Sequence, residues 1–237
     1  MPTTPEGFQS RLSRIRADLV QQGRRVQAML EAAGEALMAR DVTKAREVVA
    51  QDDQIDKVDV EIERACVTLL TDACHDGANL GPDDVRAALT AVKINNEMER
   101  IADEAVTIAE SAGSLAASNQ SLPDTFNVMA NSVVGILRDV CTAYDRGDTR
   151  LAKIVLQSQD TAAAFKRAIV RDAERRIHAG SLDVDAAFVL QELATTLERI
   201  ADHCTNVAEQ VIYSSTGAIV RHLEGHWVEV GQKPKAP

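Results

Sequence analysis

ERIADEAVTIAE (99–110) and ERIADHCTNVAE (198–209) agree at seven of twelve positions and lie 99 residues apart. Both place acids at the first, fifth and twelfth positions of a run otherwise rich in Ala, Ile and Val. A helix turns 100° per residue, so Glu99, Asp103 and Glu110 fall within about 40° of one line. Val85, Ala88, Val92 and Val106 fall on that line too. The acids therefore continue an apolar stripe instead of opposing it. A stripe of this length predicts a long packed helix, and its recurrence predicts a duplicated unit.

Working outward, turn signals divide the chain into six helical stretches. The first spans Phe8 to Met38 and stops before Asp41, an N-cap residue. The second runs from Val42 to Cys74 and meets HDGANLGP. The third opens at Pro82, with Asp83 and Asp84 in the first turn, where the helix dipole favours anions. It continues to Ala112, and GSLAASNQSLP follows as a polar linker. The fourth runs from Pro123 to Asp145, and the fifth follows the Asp148 cap to His178 and closes at Gly180. The sixth spans Asp183 to Tyr213. ARDVTKAREVVAQDD (39–53) aligns with RGDTRLAKIVLQSQD (146–160), so the halves repeat in order as well as in motif. The expected fold is all-α: two tandem three-helix bundles related by internal duplication. The expected divisions are a first repeat at 1–113, a linker at 114–120, a second repeat at 121–216 and a C-terminal tail at 217–237, of which GHWVEVGQKPKAP (225–237) is expected to fray.

Composition agrees. Of the 237 residues 45% are hydrophobic but only 3% aromatic, so the core must be aliphatic and the chain helical. A net charge of −10 argues against nucleic acid as a partner, which needs clustered Lys and Arg. No apolar run is long enough to span a membrane, and the N-terminus lacks the apolar stretch of a signal peptide. A cytoplasmic protein is expected. Cys66, Cys74, Cys141 and Cys204 have no paired spacing and read as buried small hydrophobes in a reducing compartment.

The acids carry the chemistry. Asp52, Asp56, Asp59 and Glu63 form a second column at i, i+4, i+7 and i+11, flanked by Val48, Val49 and Val60. Like charges four apart repel by roughly 0.2–0.5 kcal/mol per pair, and more beside apolar surface. One reading is a solvated acidic strip, with Arg100 and Arg199 pairing across helices. The other is a metal face, since facing carboxylate columns suit Mg²⁺, Mn²⁺, Ca²⁺ or iron more than zinc. The primary ligand set would be Asp52, Asp56, Glu99 and Asp103, extended by Asp59, Glu63 and Glu110. In the second half Glu198, Asp202 and Glu209 keep one column. An offset of 107 turns Asp52, Asp56, Asp59 and Glu63 into Gln159, Ala163, Lys166 and Val170. One full cluster and one half-cluster are expected, with Glu198 and Asp202 the lesser set.

Enzyme signatures are missing. H-E-x-x-H, paired E-x-x-H and the glycine-rich phosphate loop do not occur. His222 and His226 would pair on a metal only if helical, and His203, about 100° off the acid column, reads as a surface residue.

These features together resemble the PhoU family, the regulators of bacterial phosphate uptake. The resemblance rests on AREVVAQDDQID (45–56), KINNEMERIADEAVTIAE (93–110), ELATTLERIADHCTNVAE (192–209) and VIYSSTGAIVRH (211–222), and covers nearly the whole chain. It implies two tandem three-helix bundles. It also implies multinuclear iron or zinc clusters on E/D-x-x-x-D motifs, with Mg²⁺ or Mn²⁺ not excluded. The matching positions are Asp52 and Asp56, Glu99 and Asp103, and Glu198 and Asp202; Gln159 and Ala163 depart from the pattern. The implied role is non-enzymatic. It is a negative regulator of phosphate-starvation signalling, binding a phosphate ABC transporter and a sensor histidine kinase at the inner membrane face. A homodimer is expected separately, because long amphipathic helices leave apolar edges. A metal-binding helical protein, or an accessory subunit of a different phosphate transporter, is the alternative.

Overall fold

A computed structural model describes residues 4–117, 121–223 and 226–230. Its elements are α1 (Pro5–Ala39), α2 (Val42–Val49), α3 (Asp52–His75), α4 (Pro82–Ala117), α5 (Asp124–Arg146), α6 (Thr149–Leu156), α7 (Ser158–His178), α8 (Val184–Thr216), β1 (Ile219–Leu223) and β2 (His226–Val230). The six expected stretches are thus eight helices among the described residues. The second helix of each half is broken near its start, at Ala50 and Gln51 and again at Gln157. Neither break contains Pro or Gly. Each falls at a run of four polar residues, QDDQ (51–54) and QSQD (157–160), which offers the stripe no apolar side chain to bury for a full turn.

Local chemistry sets the other boundaries. The Asp41 carboxylate accepts from the Thr43 and Lys44 N–H groups, and Asp148 accepts from Arg150 and Leu151 in the same way. Arg40 and Gly147 precede these caps in the left-handed region, closing α1 and α5. Residues 114–117, expected in the linker, form the last turn of α4, and 118–120 lie outside the described residues. Within the tail, residues 219–223 and 226–230 pair as antiparallel strands, Leu223 with His226 and His222 with Trp227, so 226–230 are not frayed as expected; 231–237 lie outside the described residues. His222 and His226 are therefore not one helical turn apart.

The core is one continuous aliphatic cluster running through both halves. α4 packs on α1, α2 and α3, α8 packs on α5, α6 and α7, and α4 lies along α8. Each fully buried Leu, Ile or Met stabilises by about 1.5–3 kcal/mol, several times an exposed like-charge repulsion. The bundle can therefore carry its acid columns.

Polar contacts cross the α4–α8 seam. The His203 ring and the Glu97 carboxylate lie 2.7 Å apart, Asn206 donates to Glu97 (3.2 Å) and Arg199 donates to Glu104 (2.7 Å). His203 is 16% exposed, so it is a joint between halves and not the surface residue expected. Cys66 and Cys204 are buried and Cys141 is half-buried, but Cys74 is exposed, against expectation, in the last turn of α3. Burial pushes the Cys66 thiol up to about 11 and that of Cys141 to about 12, so both stay protonated and behave as small apolar groups.

Candidate metal centre and its duplicated counterpart

The break between α2 and α3 places Asp52 and Asp53 in the first turn of α3. Asp52 faces Asp103, whereas Asp59, two turns on, faces Asn95 and Glu99. α3 and α4 therefore run antiparallel with their acids opposed. Buried amides fix the register. Gln22 of α1 donates to the Ile55 carbonyl (2.8 Å), and Asn95 of α4 donates to the Asp59 carbonyl (2.9 Å) and carboxylate (2.6 Å).

The electrostatics follow from that geometry. Asp52, Asp59, Glu99 and Asp103 are all held above the ordinary carboxylate range, first by desolvation and then by their acidic neighbours. Asp56 contributes to the rise at all four, which makes it the centre of the group. Arg100 works in the opposite direction on Glu99 and Asp103. Its Nε donates to Asn96 on its own helix (3.3 Å), whereas Arg199 does pair across helices, with Glu104.

The outlying acids separate from this group. Glu63 is exposed one turn beyond Asp59 and acts on it and on Cys66. Glu110 is exposed and lies about 10 Å past Asp103 along the axis, beyond the start of α3. Its counterpart Glu209 is buried, 9% exposed, near Lys93 and Tyr213 and beneath β1.

Five residues thus share one face: Asp52, Asp56, Asp59, Glu99 and Asp103. Among the described residues no three acid, His or Cys groups are gathered tightly enough to hold an ion as they stand. The donor chemistry nevertheless fits a hard cation, because every side chain of the face is an oxygen ligand. Two acceptors there, Asp52 Oδ1 and Asn95 Oδ1, are buried without a donor.

The second half keeps the backbone and changes the groups. Glu198 and Asp202 occupy the places of Glu99 and Asp103. Lys166 Nζ donates to Glu198 Oε2 (2.6 Å), and Gln159 Nε2 donates to Asp202 Oδ1 (3.0 Å), leaving the Gln159 Oε1 without a donor. These contacts reproduce the Asp59–Glu99 and Asp52–Asp103 oppositions, with a cation and an amide replacing acids. Asp202 remains raised by desolvation, while Gln159 and Lys166 lower it. The buried amides are gone as well: the offsets of 107 and 99 carry Gln22 to Met129 and Asn95 to Ala194. This face does not fit a metal. Sequence reasoning missed Asn95 and Gln22 in the first half; the visible signal was a polar residue inside each buried stripe.

The duplicated helical unit defines the class. The PhoU domain matches residues 19–112 and 126–211, and the chain belongs to that family. It is 33% identical over 214 residues to the phosphate-specific transport system accessory protein PhoU homolog of Aquifex aeolicus, covering 89% of this chain and 94% of that protein. It is 29% identical over 218 residues to PhoU homolog 1 of Thermotoga maritima, covering 89% of each. The fold is similar to the crystal structure of PhoU from Pseudomonas aeruginosa, with TM-score 0.82 and 26% identity over 89% of this chain and 99% of that one. The Streptococcus pneumoniae PhoU structure shares the fold alone, with TM-score 0.82 and 20% identity over 90% and 99%. No described helix is long and apolar enough to cross a membrane.

Proposed function

We propose that this chain is a non-enzymatic accessory and regulatory protein of phosphate transport. It acts in the cytoplasm as a homodimer at the inner membrane face, contacting a phosphate ABC transporter and a sensor histidine kinase and restraining the phosphate-starvation response. The observation that carries this reading is the PhoU domain match over both halves, together with relatives named as phosphate-specific transport system accessory proteins. Affinity capture of the full chain from phosphate-replete cells tests it. Transporter or kinase subunits should co-purify, and recovery of neither sinks it.

The first face is a regulatory or structural metal centre in this reading. Asp52, Asp56, Glu99 and Asp103 would hold the ion, with Asp59 adjacent, and Glu63 and Glu110 lie outside that set. A bound iron, zinc, manganese or magnesium ion would supply the positive charge that relieves the mutual repulsion of the acids. The support is the five opposed carboxylates and the undonated Asp52 oxygen. Metal analysis of the native protein beside Asp52→Asn/Glu99→Gln is the test. Equal metal content in both would remove the centre from the account.

A further inference from the structure

The second face presents a different question: how a pair of acids survives on a packed helix after the opposing acid column has been lost. We infer that the Lys166 ammonium is a built-in replacement for a cation on the second face, so that the chain carries one metal-responsive bundle and one whose Glu198 carboxylate is permanently paired with a cation of the chain itself. This deepens the reading above and rests on its assignment of the first face as a cation site.

Three observations converge. First, the substitutions fall on the contacts that matter. Lys166 stands where Asp59 does and bonds the counterpart of Glu99; Gln159 stands where Asp52 does and bonds the counterpart of Asp103. An unrelated surface pair would have no reason to respect both oppositions at once. Second, the pair is sheltered. The Lys166 and Glu198 side chains are 29% and 24% exposed, and the 2.6 Å separation is that of a charge-assisted hydrogen bond. Third, the most connected acid of the first face has no counterpart: Asp56 becomes Ala163. Five carboxylates on one face are thus matched on the other by two carboxylates, one ammonium and one amide.

The physics favours exclusion. A divalent ion approaching Glu198 and Asp202 would have to displace the ammonium, expel it towards solvent and manage with two protein carboxylates. Oxygen-ligated sites for hard cations draw on more protein ligands than that, or keep much of the ion's water. Lys166 also cannot dissociate from the chain, so the charge on this face does not depend on cation concentration.

The experiment uses the full-length chain with the first face disabled by Glu99→Gln and Asp103→Asn, and Mn²⁺ as the probe. Bound ion is read from the loss of the free Mn²⁺ resonance signal and from the shift in Tm. With the native second face, no Mn²⁺ uptake and no Mn²⁺-dependent Tm shift are expected. Adding Gln159→Asp, Ala163→Asp and Lys166→Asp should confer both. Lys166→Gln alone should lower Tm. Uptake by the native second face that disappears with Glu198→Gln overturns the inference. So does a folded, helical triple variant that takes up no Mn²⁺. Should the triple variant not fold, Gln159→Asp with Lys166→Asp, which sets four carboxylates on the face, decides: a Tm raised by Mn²⁺ supports the inference and an unchanged Tm rejects it. Uptake by the triple variant, with none by the unmodified chain, supports Lys166 as the replacement and removes the metal centre from the first face.

Discussion

The α3–α4 face and the α7–α8 face share a backbone plan and a register, yet they handle negative charge in opposite ways. The first gathers acids that raise one another's pKa around Asp56. The second keeps two of the acids and pairs each with a donor from its own chain. What differs is the identity of a few side chains on the second helix of each half. The comparison shows that helix packing does not dictate the charge on such a face, because the stripes beneath it supply the stability.

The largest effect should come from making the second face like the first by one step. Lys166→Glu sets a carboxylate against Glu198 and should destabilise by about 2 kcal/mol, less than a fully buried pair because both groups retain water. Urea denaturation would measure it, and an unchanged midpoint would mean that the pair contributes nothing. Next is the joint that ties the halves together. Glu97→Gln weakens the contact with His203 and Asn206 and should cost about 1.5 kcal/mol.

The converse change in the first face should stabilise. Asp56→Asn relieves repulsion with four neighbours, a gain of about 1 kcal/mol at pH 7 without added metal. The sign with pH follows. The neighbours' folded pKa values lie above their unfolded ones, so the native state holds the extra protons, and wild-type stability falls as pH rises through the raised values. The gain from Asp56→Asn should therefore shrink as pH is lowered through that range, and a gain that persists in acid would contradict the electrostatic account. The smallest change concerns Asp148. Its carboxylate is held below the ordinary range, first by the Leu151 N–H, so its stabilising effect is present above the ordinary carboxylate pKa and is lost as pH falls through the lowered value. Asp148→Ala should thus matter at neutral pH and vanish in acid, which thermal melts at two pH values would show.

Much of the fold was legible because duplicated apolar stripes and Asp caps are local signals. Asp41, Asp148, Pro82 and Gly180 all mark the boundaries they were expected to mark. The breaks at Ala50 and Gln157 were not, since they arise from missing burial and not from a breaking residue. In the site, angular arithmetic grouped Asp52, Asp56, Asp59, Glu99 and Asp103 correctly. It also grouped Glu110, because a column on one helix says nothing about where the facing helix begins. The partners of Glu198 and Asp202 were invisible for a related reason: Lys166 and Gln159 become donors to them only once α7 is laid antiparallel to α8. His203 misled because the outer side of one bundle is the inner side of a pair.

The break in the second helix of each half has a historical meaning. It recurs at the same place relative to the Asp41 and Asp148 caps, in segments that align with one another. A feature common to both copies is inherited from their single ancestor, so the break was present before the gene doubled. The charges beyond it were free to diverge afterwards. By the same reasoning the acids shared by α4 and α8 are equally old, and what diverged is the facing column, Asp52, Asp56 and Asp59 against Gln159, Ala163 and Lys166.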